Sequence, residues 1–200
     1  MLGNIGTPYQ HNQDLFSSSE MIGGIIDTED ELRSQLRASQ QICCNALFIY
    51  SNYGYDTFMK EFITTSSIQT KKLGEILAGQ LCGGEIICLS GDLGAGKTTF
   101  TQGLLKGLKI KGPYTSPTFA IMKHYHHRSH DIYHIDAYRV SAKDLSELGF
   151  KDFAGKENSI TIIEWPEKIK RLIPTDALWI NFKWLTDKER TITISTKKER

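Results

Sequence analysis

No excess of charge of either sign runs through this sequence: 24 lysines and arginines stand against 23 aspartates and glutamates, a net +1 at pH 7. A near-neutral chain has no global field to carry it onto nucleic acid or an anionic membrane, so any such contact has to be local. Cysteine is sparse too. The four, Cys43, Cys44, Cys82 and Cys88, show neither a CxxC pair nor zinc spacing, which leaves a reducing, cytoplasmic setting as the simplest expectation. Long apolar runs are missing. The longest, Ile42 to Tyr50, is interrupted by Asn45 and falls far below the roughly 20 residues that span a bilayer. The N-terminus lacks a basic segment followed by an apolar signal core. No membrane segment, internal repeat or low-complexity tract is expected.

What is present suffices for one globular domain with an appendage: 200 residues, 40% of them hydrophobic. Residues 1–58 are weakly patterned, with "SSSE", a short amphipathic stretch from Thr28 to about Gln41, and "YSNYGYDT". They are expected to form a dispensable N-terminal extension, or to follow an upstream start that the cell does not use. The folded unit is expected to span 59–200.

Within that unit "MKEFITTSS", from Met59, reads as a strand followed by hydroxyl helix caps. A helix carrying Ile68, Ile76, Leu77 and Leu81 follows, ended by Cys82-Gly83-Gly84. "EIICLS" is a short unbroken apolar run suited to a strand buried on both faces of a parallel sheet, and "KTTFTQGLLKGL" reads as a helix. Further strands are expected at Phe119 to Tyr125, Ile132 to Tyr138, Ser159 to Glu164, Ala177 to Leu185 and Arg190 to Ser195. A helix over Ala142 to Leu148 is capped by Ser141 and stopped by Gly149, and the last two strands form a hairpin across Thr186 to Glu189. The alternation predicts a three-layer α/β domain, a mixed sheet with a parallel core, flanking helices and a C-terminal hairpin, and the turn "GDLGAGKT" from Gly91 to Thr98 makes it one of P-loop NTPase type.

Between "EIICLS" and the following helix, Gly91, Gly96, Lys97 and Thr98 satisfy GxxxxGK[ST]. Chance alone produces this match on the order of once in a hundred chains of this length, and a strand before with a helix after makes chance rarer. Glycine lets backbone N–H groups converge on phosphate oxygens at the positive end of the helix, Lys97 supplies a mobile cation, and the Thr98 hydroxyl suits Mg²⁺. The loop is therefore expected to hold a nucleoside triphosphate with its magnesium. A second magnesium anchor belongs at the tip of a neighbouring apolar strand, where "SITIIEW" ends its run in Glu164. Asp136 in "YHIDAYR" either points at this site or pairs with Arg139.

"GDLGAGKTTF", "SPTF" (Ser116 to Phe119), "YHIDAYR" (Tyr133 to Arg139), "ELGFKDF" (Glu147 to Phe153), "IIEWPEK" (Ile162 to Lys168) and "LIP" (Leu172 to Pro174) follow one another in an order and spacing that resembles the TsaE family. The resemblance covers about Phe62 to Ile194, and SPTF, the HxDxYR word and EW make it far more specific than the loop alone. It implies an ATPase that supports formation of threonylcarbamoyladenosine at adenosine 37 of tRNAs decoding ANN codons, acting with the TsaD and TsaB subunits. Direct tRNA contact is left open. The resemblance implies that ATP phosphates are bound by Leu93, Gly94, Ala95, Gly96, Lys97, Thr98 and Thr99. It implies that Thr98 and Glu164 hold Mg²⁺ and that Asp136 serves hydrolysis. Ser67 and Arg190 are implied to lie against the nucleotide. Thr118 resembles a γ-phosphate sensor, and Trp165 stands beside the magnesium carboxylate; the residues alone also allow a rigid turn after Pro117 and a core tryptophan.

Two words are weaker. "KHYHHRSHDIYH" holds His124, His126, His127, His130 and His134, yet it spans an expected hairpin connection that should scatter the rings, and no cysteine or acid completes an evident ligand set. The expectation is against a metal there, and for a basic patch below the histidine pKa. "SAK" at Ser141 to Lys143 echoes a guanine-nucleotide word, but no NKxD precedes it. Two other functions stay open beside the ATPase: a small-molecule kinase, which should show an arginine-bearing lid, and a nucleotide-dependent binding module.

Overall fold

The computed structural model describes residues 59–117, 120–127 and 130–196. The expected amphipathic stretch at Thr28 to Gln41 lies outside them. β1 (Met59–Thr64), α1 (Ser67–Ala78), β2 (Ile86–Gly91) and α2 (Lys97–Gly107) come first, then β3 (Met122–His127) and β4 (His130–Asp136). Two short helices, α3 (Ala142–Glu147) and α4 (Phe150–Phe153), precede β5 (Ser159–Glu164). A 3₁₀ helix at Pro166–Leu172 leads to β6 (Leu178–Trp184) and β7 (Arg190–Ser195). The strands form one seven-stranded sheet in the order β1-β7-β6-β2-β5-β4-β3. β6, β2, β5 and β4 run parallel, while β7, β1 and β3 pair antiparallel at the edges. The mixed sheet with a parallel core and C-terminal hairpin is as the sequence predicts.

β2 shows why its apolar run is unbroken. Ile87 and Leu89 face one cluster with Phe100, Leu104, Leu73 and Phe182, and Ile86 and Cys88 face another with Ile135, Leu145, Phe150, Ile163 and Ile169. A strand covered on both faces has no solvated side to make polar, and each such side chain contributes roughly 1.5–3 kcal/mol by leaving water. α1 and α2 cover the first face; α3, α4 and the 3₁₀ helix cover the second.

Several bounds differ from the sequence reading. α1 ends at Ala78, before Leu81. Ile68, expected on its apolar side, is 79% exposed, because the first turn instead turns Thr70 inward to bond Thr64 Oγ1 at 2.9 Å. Ser66 caps this helix, accepting from Gln69 N at 3.2 Å. β3 starts three residues later than expected, at Met122, and β4 starts two earlier, at His130, since cross-strand pairing rather than local hydrophobicity sets the hairpin's register. α4 and the 3₁₀ helix were not legible, being too short to show a period.

α1 and α2 approach closely because glycines line their contact. A Cβ at Gly103 would lie 1.9 Å from Lys71 O, and one at Gly74 2.4 Å from Phe100 O. Gly103→Ala gains about 1 kcal/mol of helix propensity, but the methyl meets backbone, which cannot rotate away, and overpacking costs about 1–3 kcal/mol or more. We expect a net loss near 2 kcal/mol and a melting temperature lower by roughly 6–8 °C. Thermal unfolding of the variant checks this; an unchanged midpoint would mean the helices separate freely.

Candidate functional site

The glycine-rich loop leaves β2 at Gly91 and enters α2 at Lys97. Gly91, Gly94 and Gly96 take φ of 132°, 76° and 107°, a region that L side chains rarely adopt, and a Cβ at Gly91 would meet Phe182 O at 2.3 Å. The loop thus wraps the N-terminus of α2, whose first N–H groups lack intrahelical partners. Leu93, Gly94, Gly96, Lys97, Thr98, Thr99, Ser116, Asp136, Tyr138, Arg139, Glu164 and Trp165 line one cleft of about 500 Å³.

Lys97 is buried, its Nζ donating to Gly91 O at 2.5 Å and Asp92 O at 2.7 Å. Burial pushes its ammonium below the ordinary lysine value, opposed by the negative charges of Glu164, Glu167, Asp92 and Asp136. The Trp165 ring lies 3.7 Å from Nζ. To place that ring, Trp165 takes φ 62°, a rare conformation for a bulky residue. Tyr138 packs on the same ring, 5.0 Å between centroids. Trp165 is therefore a wall of the cleft rather than core alone.

Glu164 stands at the end of β5, in register with Leu89 of β2 and Asp136 of β4. Its Oε1 accepts from His134 Nε2 at 2.9 Å and Thr101 Oγ1 at 3.3 Å, and its Oε2 accepts from Thr98 Oγ1 at 2.9 Å. With Oε1 held by two buried donors, Oε2 and the Thr98 hydroxyl are left together at the cleft. Two hard oxygens in that position fit Mg²⁺, which takes one or two protein oxygens and otherwise keeps water and phosphate ligands.

Asp136 points into this cleft. Its Oδ2 accepts from Ser116 Oγ at 3.0 Å and its Oδ1 from Tyr138 N at 3.1 Å. Arg139 lines the cleft beside it. Ala95 is buried within the loop. Ser67 is the exposed first residue of α1 and Arg190 lies 3.5 Å over the Trp184 ring; neither is on the cleft wall, although a Cβ at Gly94 would touch Trp184 at 3.3 Å. Thr118 lies outside the described residues.

Thr101, His134, Ser116 and Tyr138 escaped the sequence reading. Two had a signal: Thr101 is one helical turn past Thr98, and His134 shares a strand face with Asp136. The histidine reading needs correction as well. The five rings do divide between faces, His130 Nε2 meeting Cys82 O and His134 Nε2 meeting Glu164 Oε1, but His124 and His126 of β3 share one face, their ring centroids 4.2 Å apart. An acid does join them: Asp131 lies 3.0 Å from His124 Nε2 and 2.5 Å from His126 Nδ1.

With this geometry in view, similarity to known proteins is specific. The family model described as "Threonylcarbamoyl adenosine biosynthesis protein TsaE" matches residues 64–192. The chain is 40% identical over 141 residues to the tRNA threonylcarbamoyladenosine biosynthesis protein TsaE of Aquifex aeolicus, covering 70% of this chain and 98% of that one. It is 36% identical over 132 residues to the TsaE of Bacillus subtilis, covering 66% and 82% respectively. The crystal structure of Bacillus subtilis YdiB superposes with a TM-score of 0.61 at 30% identity, over 71% of this chain and 88% of that one. Loop, strand-end carboxylate and matched span agree, and the chain belongs to the TsaE family of tRNA threonylcarbamoyladenosine biosynthesis proteins.

Proposed function

We propose that this chain is a Mg²⁺-dependent ATPase that supports threonylcarbamoyladenosine formation at adenosine 37 of tRNAs decoding ANN codons, working with the TsaD–TsaB complex in the cytoplasm. The observation that carries the reading is the Thr98–Glu164 contact of 2.9 Å at the mouth of the glycine loop. The loop N–H groups bind the phosphates. Lys97, whose hydrogen bonds go to the carbonyls of Gly91 and Asp92, gains charged hydrogen-bond partners in the β and γ phosphates. Thr98 and Glu164 hold Mg²⁺, which when bound neutralises charge on those phosphates. Asp136, with both oxygens fixed by Ser116 and Tyr138, orients the attacking water. Thr118 senses the γ-phosphate, and Ser67 and Arg190 approach the rest of the nucleotide. The unit that does this is taken as 59–200, with residues 1–58 an extension to it. No helix among the described residues is long and apolar enough to cross a membrane.

Product analysis after incubation with Mg-ATP tests the reaction. ADP and free phosphate are expected. A phosphorylated acceptor in place of phosphate would make the protein a kinase, and tight binding without either product, with the partner complex present, would make it a binding module.

A further inference from the structure

β3 and β4 carry a second cluster of ligating side chains, remote from the cleft. His126 stands opposite Asp131 and His124 opposite Tyr133. Residues two apart on a strand share a face, so both imidazoles, the carboxylate and the phenol ring project together. One ligand atom each from His124, His126 and Asp131 lie within 4.8 Å of one another. The His124 ring is stacked on Tyr133 at 4.4 Å with 4° between planes, and Tyr133 is stacked on Phe153 of α4 at 4.1 Å. That column fixes the ring before any ligand arrives.

We propose that His124, His126 and Asp131 form a binding site for one divalent transition-metal ion of the zinc class. Two imidazole nitrogens and one carboxylate oxygen suit zinc, whereas magnesium and calcium prefer oxygen alone. Metal–ligand bonds of about 2.0–2.2 Å place tetrahedral ligand atoms roughly 3.3 Å apart. His124 Nε2 and His126 Nδ1 stand 3.0 and 2.5 Å from Asp131 Oδ1, so loading needs ligand shifts of about 1 Å or less. His126 is 79% exposed, so the fourth position faces solvent and takes water. Asp131 and Asp136 lie on opposite faces of β4, about 16 Å apart along the strand, which separates this ion from the nucleotide. The bound ion staples the edge strand β3 to β4, since its ligands come from both.

Calorimetric titration of the metal-free full chain with ZnCl₂ at pH 7.5 tests this, alongside His126→Ala, His124→Ala/His126→Ala and Lys97→Ala. His11, Cys43 and Cys44 also occur in the chain, so the readout is the equivalent lost rather than the total. His126→Ala is expected to weaken one equivalent by at least about 10- to 100-fold, and the double variant to remove it. Lys97→Ala should keep it, which makes the result independent of the ATPase reading. Cooperative melting confirms that the variants are folded; the exposure of His126 favours that. Equal zinc binding by the parent and the folded double variant would overturn the proposal, as would loss of the equivalent in Lys97→Ala.

Discussion

Adding the TsaD–TsaB complex is expected to raise steady-state phosphate release by about 10³-fold or more, the low end of what a supplied or positioned arginine contributes in P-loop enzymes. On the proposed reading, the site waits for a partner to bring its parts into working order. Lys97 is occupied with loop carbonyls, and Arg139 lines the cleft from an exposed turn after β4. Asp136 is tied to Ser116, so a partner contact that shifts Ser116 would carry to the carboxylate. On that reading a partner docking on this side completes the site around Arg139 and Ser116, making turnover conditional on assembly. Arg139→Ala should retain Mg-ATP binding and lose most of the stimulation. Equal phosphate release with and without saturating complex would reject activation by docking.

Lys97→Ala should weaken Mg-ATP binding roughly 10- to 100-fold, because a hydrogen bond to a charged group is worth about 1.5–3 kcal/mol. Glu164→Ala should act differently, leaving phosphate binding largely intact while lowering turnover by about 10²-fold or more through loss of a metal ligand. Stability also separates them. Removing Glu164 strips His134 Nε2 of its buried acceptor, at about 1–3 kcal/mol for the unsatisfied group, while Thr101 Oγ1 keeps Lys97 O at 3.1 Å. Glu164→Gln, which keeps an acceptor, should restore most of the melting temperature without restoring turnover. Calorimetry with Mg-ATP, phosphate release and thermal melting on the three variants distinguish these outcomes; unchanged affinity in Lys97→Ala would sink the loop assignment.

The parts legible in the chain are those written in contiguous residues. GDLGAGKTTF between an apolar strand and a helix announces a glycine turn wrapped on a helix start because the glycines, the lysine and that start lie within one turn of each other. EIICLS announces a doubly covered strand, and Glu164 announces itself by ending an apolar run. Helix α3 was legible because Ser141 caps it and Gly149 stops it; the structure adds that the cap is reciprocal, Ser141 N donating to Asp144 Oδ2 at 2.9 Å. The rest depends on residues meeting across the fold. His134 reaches Glu164 from 30 positions away, Thr101 from 63, and Ser116 reaches Asp136 from 20. The histidine word misled for the same reason: whether alternate imidazoles scatter or converge depends on strand register, which pairing with β4 and packing on Phe153 decide. Local pattern specifies which elements form and which carry chemistry. Partner choice among buried polar groups follows only once the sheet order brings strand ends together and burial forces each donor to find an acceptor.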